Sequence, residues 1–306
     1  MKFVIDDEKD LIRLDKYLTS NTDISRSKIS EMIKEGLVLV NGKKTKSSYI
    51  LRLNDNIEIT GTLKIETNAK AEDIPLDIVY EDQDVIVVKK PVGTESQAVH
   101  SFAPDMVSEI KKHIHRLSTE NGERLVEDYV GVIHRLDKPV GGIMVYAKNK
   151  KAAAALSKQV QEHKLQKTYR AVVCGKPVDN VGNFVDYLLK DEKANVSKIV
   201  DKGTTGAKRA ELDYRVVDTA EKEGQELSLV EIHLKTGRHH QIRVQFAGHG
   251  YPLWADARYG TAVPRQNVAL SSCGLAFEHP VTGKWMEFSM EPEGMIFRKF
   301  TKKFFV

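Results

Sequence analysis

The run Gly141-Gly142-Ile143-Met144-Val145-Tyr146-Ala147 constrains this chain more than any other stretch. A short apolar run entered through Pro139 and two glycines reads as a buried strand. Directly before it stands Val132-Ile133-His134-Arg135-Leu136-Asp137-Lys138-Pro139-Val140, which sets one carboxylate between cationic neighbours. Asp137 is thereby expected on a turn at the mouth of the strand, where a loop on a rigid scaffold carries chemistry. A solvated turn aspartate with incidental Arg and Lys neighbours is the competing reading, and one short motif does not separate the two.

With 306 residues the chain is long for one domain and suited to two. At 41% hydrophobic it can build a real core. Cys174 and Cys273 lie far apart, with no Cys-x-x-Cys pair, which argues against a disulfide framework or a zinc knuckle and fits a reducing compartment. The start, Met1 to Glu8, turns acidic before a signal-peptide core forms, and no run approaches the roughly 18 apolar residues of a membrane span. A cytoplasmic protein without a membrane partner is expected. The net charge of +4 is mild, so nucleic-acid binding has to be argued from local patches.

Residues 1–60 read as a small separate unit. Arg13–Leu18 and Ile29–Lys34 have the apolar spacing of two short amphipathic helices. Ser25 suits the second helix as its N-cap, and Gly36 ends it. Leu37–Lys43 is a strand running into the Asn41-Gly42 turn, a strong hairpin signal. Between Leu11 and Leu53, nine Lys or Arg face four Asp or Glu, a surplus of five that exceeds the charge of the whole chain. That surplus suits phosphate contacts, against the plainer reading of solvated helix faces. Residues 61–73 are polar, without aromatics, and read as a linker. A larger domain over 74–306 follows. Ile78–Tyr80, Val85–Val88 and Thr168–Val173 read as strands, and Lys151–His163 as a helix. Leu212–Val217 and Leu227–Leu234 alternate apolar with polar, as half-buried antiparallel strands do. The strands follow no βαβ rhythm, so the expected class is α+β, built on a mixed, largely antiparallel sheet.

A second dense cluster, Thr236-Gly237-Arg238-His239-His240-Gln241-Ile242-Arg243-Val244-Gln245, packs two Arg, two His and two Gln into ten residues. It reads as an anion-binding and carboxylate-pairing site, or more plainly as an amphipathic segment with a wet polar face. A metal site at His239-His240 is disfavoured, because adjacent residues point apart and no His-x-x-x-His with a Glu exists. Gly203–Lys208 is too short between its glycines for a phosphate loop, and no Gly-x-Gly-x-x-Gly follows a strand. No Gly-x-Ser-x-Gly elbow exists. Neither a nucleotide, a metal nor a serine nucleophile is expected.

Taken in order, the motifs resemble those of the RluA-type pseudouridine synthases, with an S4-like RNA-binding unit at the N-terminus. His134-Arg135-Leu136-Asp137 is similar to the family's catalytic signature. Ile74–Asp82 with Val87–Gly93 resembles its first motif, Gln166-Lys167-Thr168-Tyr169 the segment of its active-site tyrosine, and Thr236–Arg243 with Gly250–Pro252 and Asp256–Gly260 its last. The resemblance implies isomerisation of uridine to pseudouridine within RNA, with no cofactor, by a monomer. Asp137 is the implied catalytic carboxylate, Arg243 its pairing partner, and Tyr169 the ring against the flipped uracil. Arg135 fills the gap left by the base or binds phosphate. His134, Arg238, His240 and Gln241, with Arg26, Lys28, Lys43 and Lys44 of the small unit, are the implied RNA contacts. Large-subunit ribosomal RNA is the expected partner, with tRNA second. A non-catalytic ribosome-assembly RNA binder is the alternative class. An aspartate-based hydrolase lacks a second carboxylate at a workable spacing. Two departures stand out. The family often has Thr-Ser-Gly where this chain has Val140-Gly141-Gly142, and Gly-Asp where it has Ala255-Asp256.

Overall fold

The computed structural model describes residues 1–7, 11–22, 24, 26–61, 74, 76–98, 105–120 and 129–303. The chain divides into two compact units, Met1–Lys70 and Ala71–Val306.

The first unit contains β1 (Lys2–Val4), α1 (Leu14–Asn21), α2 (Arg26–Glu35), β2 (Val38–Val40), β3 (Lys43–Lys44) and β4 (Asn56–Ile59). The strands form an antiparallel sheet in the order β1-β4-β2-β3. Leu14 and Leu18 of α1 and Ile29, Met32 and Ile33 of α2 recur at helical spacing and close a core with Val38, Val40, Leu51 and Ile57. At the end of α2, Gly36 N–H donates to Ile33 O and Leu37 N–H to Met32 O, the paired bonds of a Schellman cap. Ser25 lies outside the described residues. Asn41 (φ 54°) and Gly42 (φ 74°) are both left-handed, which is what a two-residue type I′ hairpin requires. The sequence pattern does not reveal β1 and β4, which are only three and four residues long.

The second unit runs β5 (Asp77–Glu81), β6 (Val85–Lys90), α3 (Met106–Glu120), β7 (Gly131–Val132), β8 (Gly141–Ala147), α4 (Lys150–Gln161), β9 (Gln166–Cys174), β10 (Val181–Asp191), β11 (Val196–Val200), β12 (Lys208–Lys222), β13 (Gln225–Leu234), α5 (Gln241–Gly248), β14 (Leu270–Glu278) and β15 (Trp285–Ser289), then a 3-10 helix, Phe297–Lys303. An eleven-stranded sheet has the order β11-β10-β12-β13-β9-β14-β8-β6-β5, with β15 on β14 and β7 on β8. All pairings among these strands are antiparallel except β14 with β8. The protein is α+β, as the sequence pattern indicates.

Strand β8 explains its own composition. Met144 and Tyr146 pack on one face with Ile86, Val88, Tyr169, Ala171 and Phe246. Ile143, Val145 and Ala147 pack on the other with Ala152 and Leu156 of α4 and Phe277. A strand covered on both faces needs apolar residues at every position. Asn149 starts α4 by accepting from Ala152 N–H at 2.8 Å. Among the described residues no helix is long and apolar enough to cross a membrane.

Candidate active site

Three sets of bonds hold the turn between β7 and β8. Ser96 Oγ donates to Leu136 O at 2.9 Å and accepts from Leu136 N–H at 3.0 Å, pinning the residue before Asp137. Lys138 O, just after it, accepts from Gly93 N–H and from the Lys90 ammonium. Val140 N–H closes the turn on Asp137 O at 2.9 Å. Lys90 is fully buried and gives its other bonds to Pro91 O and Thr94 O. Burial pulls its ammonium down to about 8, even with Asp137 and Glu95 nearby. It ties the first motif to the turn. The Asp137 side chain is left 28% exposed on an otherwise rigid loop.

Arg243 reaches this turn from the first turn of α5. It is 4% exposed. Its Nη1 donates to Asp137 Oδ2 at 3.1 Å, while Nε and Nη2 fork onto Asp256 at 2.8 and 2.7 Å. Asp256 is fully buried and also accepts from Arg258 N–H and Tyr259 N–H. Burial pushes the Asp256 carboxyl up, but the Arg243 guanidinium and these N–H groups outweigh it and hold it below the usual carboxylate range. The order is therefore a buried acid holding an arginine, and the arginine holding the half-exposed acid. The loop before α5 is shaped by Gln241, whose side chain accepts from Arg238 N–H and Thr236 Oγ and donates to Glu211 O.

Around Asp137 stand His240 and Tyr169. His240 adopts a left-handed backbone (φ 53°) and places Nε2 3.5 Å from Asp137 Oδ2. Its Nδ1 lies 2.8 Å from Tyr259 Oη. Burial is the main cause that takes its imidazole down to about 4, with Arg243 and His239 adding to it against Asp137. Tyr169, on β9, is 5% exposed, and burial, then the Asp137 charge, raises its phenol. Asp137 is thus an accessible carboxylate set against a buried arginine, an imidazole and a phenol, with the second carboxylate, Asp256, sealed behind the arginine. That arrangement suits a nucleophile or base acting on a neutral substrate.

A family model for RNA pseudouridylate synthases matches residues 84–248, and one for the S4 domain matches residues 12–57. The chain belongs to the RNA pseudouridylate synthase family. An RNA pseudouridine synthase of Aquifex aeolicus is 34% identical over 304 residues, covering 95% of this chain and 93% of that protein. The YlyB pseudouridine synthase of Bacillus subtilis is 35% identical over 291 residues, covering 92% and 91%. The ribosomal large subunit pseudouridine synthase D of Zymomonas mobilis is 31% identical over 299 residues, covering 92% and 91%. The human RNA pseudouridylate synthase domain containing 1 shares the fold, with a TM-score of 0.57, 22% identity, and coverage of 71% of this chain and 83% of that one. The protein is an RNA uridine isomerase with an S4 domain at its N-terminus.

The synthase structure redistributes several residues that the motifs suggested as RNA contacts. His134 is 8% exposed and accepts from Val145 N–H at 3.3 Å, so it braces β8 from inside. Burial takes its imidazole down to about 3. Gln241 is 3% exposed with its amide spent on the loop before α5, so it too is structural. His240 faces Asp137 and not open solvent. Arg26 is committed to Asp15, together with Arg13. Arg238 is exposed, with Nε on Arg209 O. Arg135, Lys43 and Lys44 are exposed, and the Lys28 side chain lies outside the described residues. Arg243 pairs with Asp137 as expected, but its fork goes to Asp256, leaving Asp137 a single hydrogen bond to its side chain among the described residues.

Sequence reasoning missed Lys90, Asp256 and Tyr259 as parts of the site, although all three fall inside matched motifs. The two family departures have physical counterparts. A Cβ at Gly141 would come within 2.9 Å of Val92 Cγ2, so Val92 occupies the space of the usual serine. Val140, 2% exposed, gives up a hydroxyl for a place in the core. Ala255 sits at φ 58°, a conformation its family's usual glycine adopts without strain.

Proposed function

We propose that this synthase isomerises a uridine of structured large-subunit ribosomal RNA through Asp137. The observation that carries the catalytic part is the asymmetry of the Asp137 carboxylate. Oδ2 is bound by Arg243, whereas Oδ1 accepts no hydrogen bond among the described residues and belongs to a half-exposed side chain. The ribosomal part is supported by relatives named ribosomal large subunit pseudouridine synthase D and by the S4 domain with its basic surplus. The bond between uracil N1 and ribose C1′ breaks, the base turns, and C5 bonds to C1′. The C5 hydrogen leaves as a proton and N1 gains one, so the product is an isomer. Asp137 supplies the reacting carboxylate, Arg243 holds it through Oδ2, and Tyr169 lies against the extruded uracil. Flipping the base costs a few kcal/mol, supplied by contacts to the RNA. Cytoplasmic action on free or assembling RNA fits this role.

Mapping pseudouridine in total RNA with and without the gene tests the assignment. The expected result is loss of one or a few sites in large-subunit ribosomal RNA. Loss confined to tRNA would refute the ribosomal reading.

A further inference from the structure

We propose that His240 is a positioning residue. It offers its Nε2–H to Asp137 Oδ2 and is held in that tautomer by Tyr259, so that Oδ1 is the oxygen presented to the substrate. This rests on the catalytic reading of Asp137.

The starting point is Tyr259. Its hydroxyl accepts from Ser197 N–H at 2.8 Å, a group that can only donate. The hydroxyl proton is then free for its other neighbour, His240 Nδ1, also at 2.8 Å. An imidazole that accepts at Nδ1 carries its proton on Nε2. Nε2 lies 3.5 Å from Asp137 Oδ2, the oxygen that Arg243 already bonds. The opposite tautomer would aim a nitrogen lone pair at a carboxylate. At 3.5 Å the contact is longer than a formed bond, and such contacts tighten when substrate closes the site.

The surroundings favour the neutral ring. His240 is packed against Asp137 of the β7–β8 turn, Arg243 of its own helix, His239, and Arg258 and Tyr259 of the loop after Asp256. Burial, then Arg243, His239 and Arg258, oppose a second proton, and only Asp137 favours one. The His239 ring stacks on His240 at 3.7 Å and is itself tied to Ser197 Oγ, which fixes the plane. Arg243 lies over the Tyr259 ring at 5.3 Å, so one aromatic orients both donors to Oδ2. The left-handed backbone at His240 costs about 1 kcal/mol, strain of the kind kept at functional positions.

The direct test is a two-bond proton–nitrogen spectrum of the full chain labelled with nitrogen-15 histidine, with His240 assigned by its absence in His240→Gln. The expected pattern is a neutral ring protonated at Nε2 that does not titrate between about pH 5 and 8. In Tyr259→Phe the tautomers should mix and titration should move up. An Nδ1-protonated ring, or ordinary titration near neutrality, in the parent would overturn the proposal. As a second readout, His240→Ala should lower the single-turnover rate at saturating RNA about tenfold to a hundredfold, the reach of one charge-assisted hydrogen bond. His240→Gln, which keeps a donor near Nε2, should recover most of it. Parental rates for His240→Ala would also overturn it. The spectrum reads the tautomer whether or not Asp137 is catalytic, so failure of that reading shows separately, as activity in Asp137→Asn.

Discussion

Replacing Asp256 with asparagine loosens the proposed catalytic carboxylate without touching it. Asparagine keeps one oxygen for Arg243 Nη2 and the N–H groups of Arg258 and Tyr259, but it turns a donor toward Arg243 Nε, which now bonds at 2.8 Å. A charge-assisted bond disappears, two donors oppose each other, and a guanidinium 4% exposed is deprived of its fully buried counter-ion. Breaking a buried ion pair on one side costs about 3–5 kcal/mol. The larger unit should be destabilised by that much in urea unfolding. Arg243 then has Asp137 as its one remaining carboxylate among the described residues, and the two shift together. A misplacement on the order of 1 Å costs about 10²-fold in rate, so single-turnover tritium release from C5-labelled uridine should fall by about that factor. RNA affinity should stay near parental, because Asp256 is sealed from solvent. Parental stability together with parental rate would refute the chain of support from Asp256 through Arg243 to Asp137.

Other expectations follow from the same structure. At Gly142 (φ 131°) a Cβ would stand 2.2 Å from Ser272 O, so Gly142→Ala should cost about 4 kcal/mol, while Gly141→Ala, which meets a methyl of Val92 at 2.9 Å and Lys90 O at 3.3 Å without a left-handed backbone, should cost about 1–2. Equal urea midpoints for the two would contradict the close approach of β8 and β14. His134 stays neutral in the fold down to about pH 3, whereas the unfolded chain takes up its proton below about pH 6.5. Stability therefore falls as pH drops through that window, by about 2 kcal/mol at pH 5, and a His134→Phe variant should lack that slope. Deleting residues 1–60 should weaken RNA binding and lower the salt slope by about 0.7–0.9 for each phosphate that the S4 domain neutralises, and an unchanged slope would show that it neutralises none.

The parts of this fold that the sequence shows are those where one residue type has one physical use. An apolar residue at every position of β8 means burial on both faces, and Asn41-Gly42 means a type I′ turn. The polar residues were harder to place. Gln241 and Arg243 stand in a segment that reads in sequence as an anion site or a wet face, and His134 as an RNA contact, yet all three are buried, because each is tied inside to backbone or to a buried acid. Nothing in residue type distinguishes Asp256 from a surface aspartate; only its place in the last motif marks it. Helix α3 was legible and missed, since Met106 and Ile110 stand at helical spacing and both are fully buried. Strand β14 was hidden by Ser271-Ser272-Cys273-Gly274, whose small residues permit the close pairing with β8 and β9 that an apolar pattern would not reveal.

The central claim is that the half-free carboxylate of Asp137 performs the isomerisation. Asp137→Asn keeps the shape of the side chain and a bond to Arg243 while removing the charge and the nucleophilic oxygen. Tritium release from C5-labelled uridine in the natural RNA, measured alongside unfolding and RNA binding, tests it most directly. The account expects release at background, with stability and RNA affinity close to parental. Release near the parental rate would contradict it.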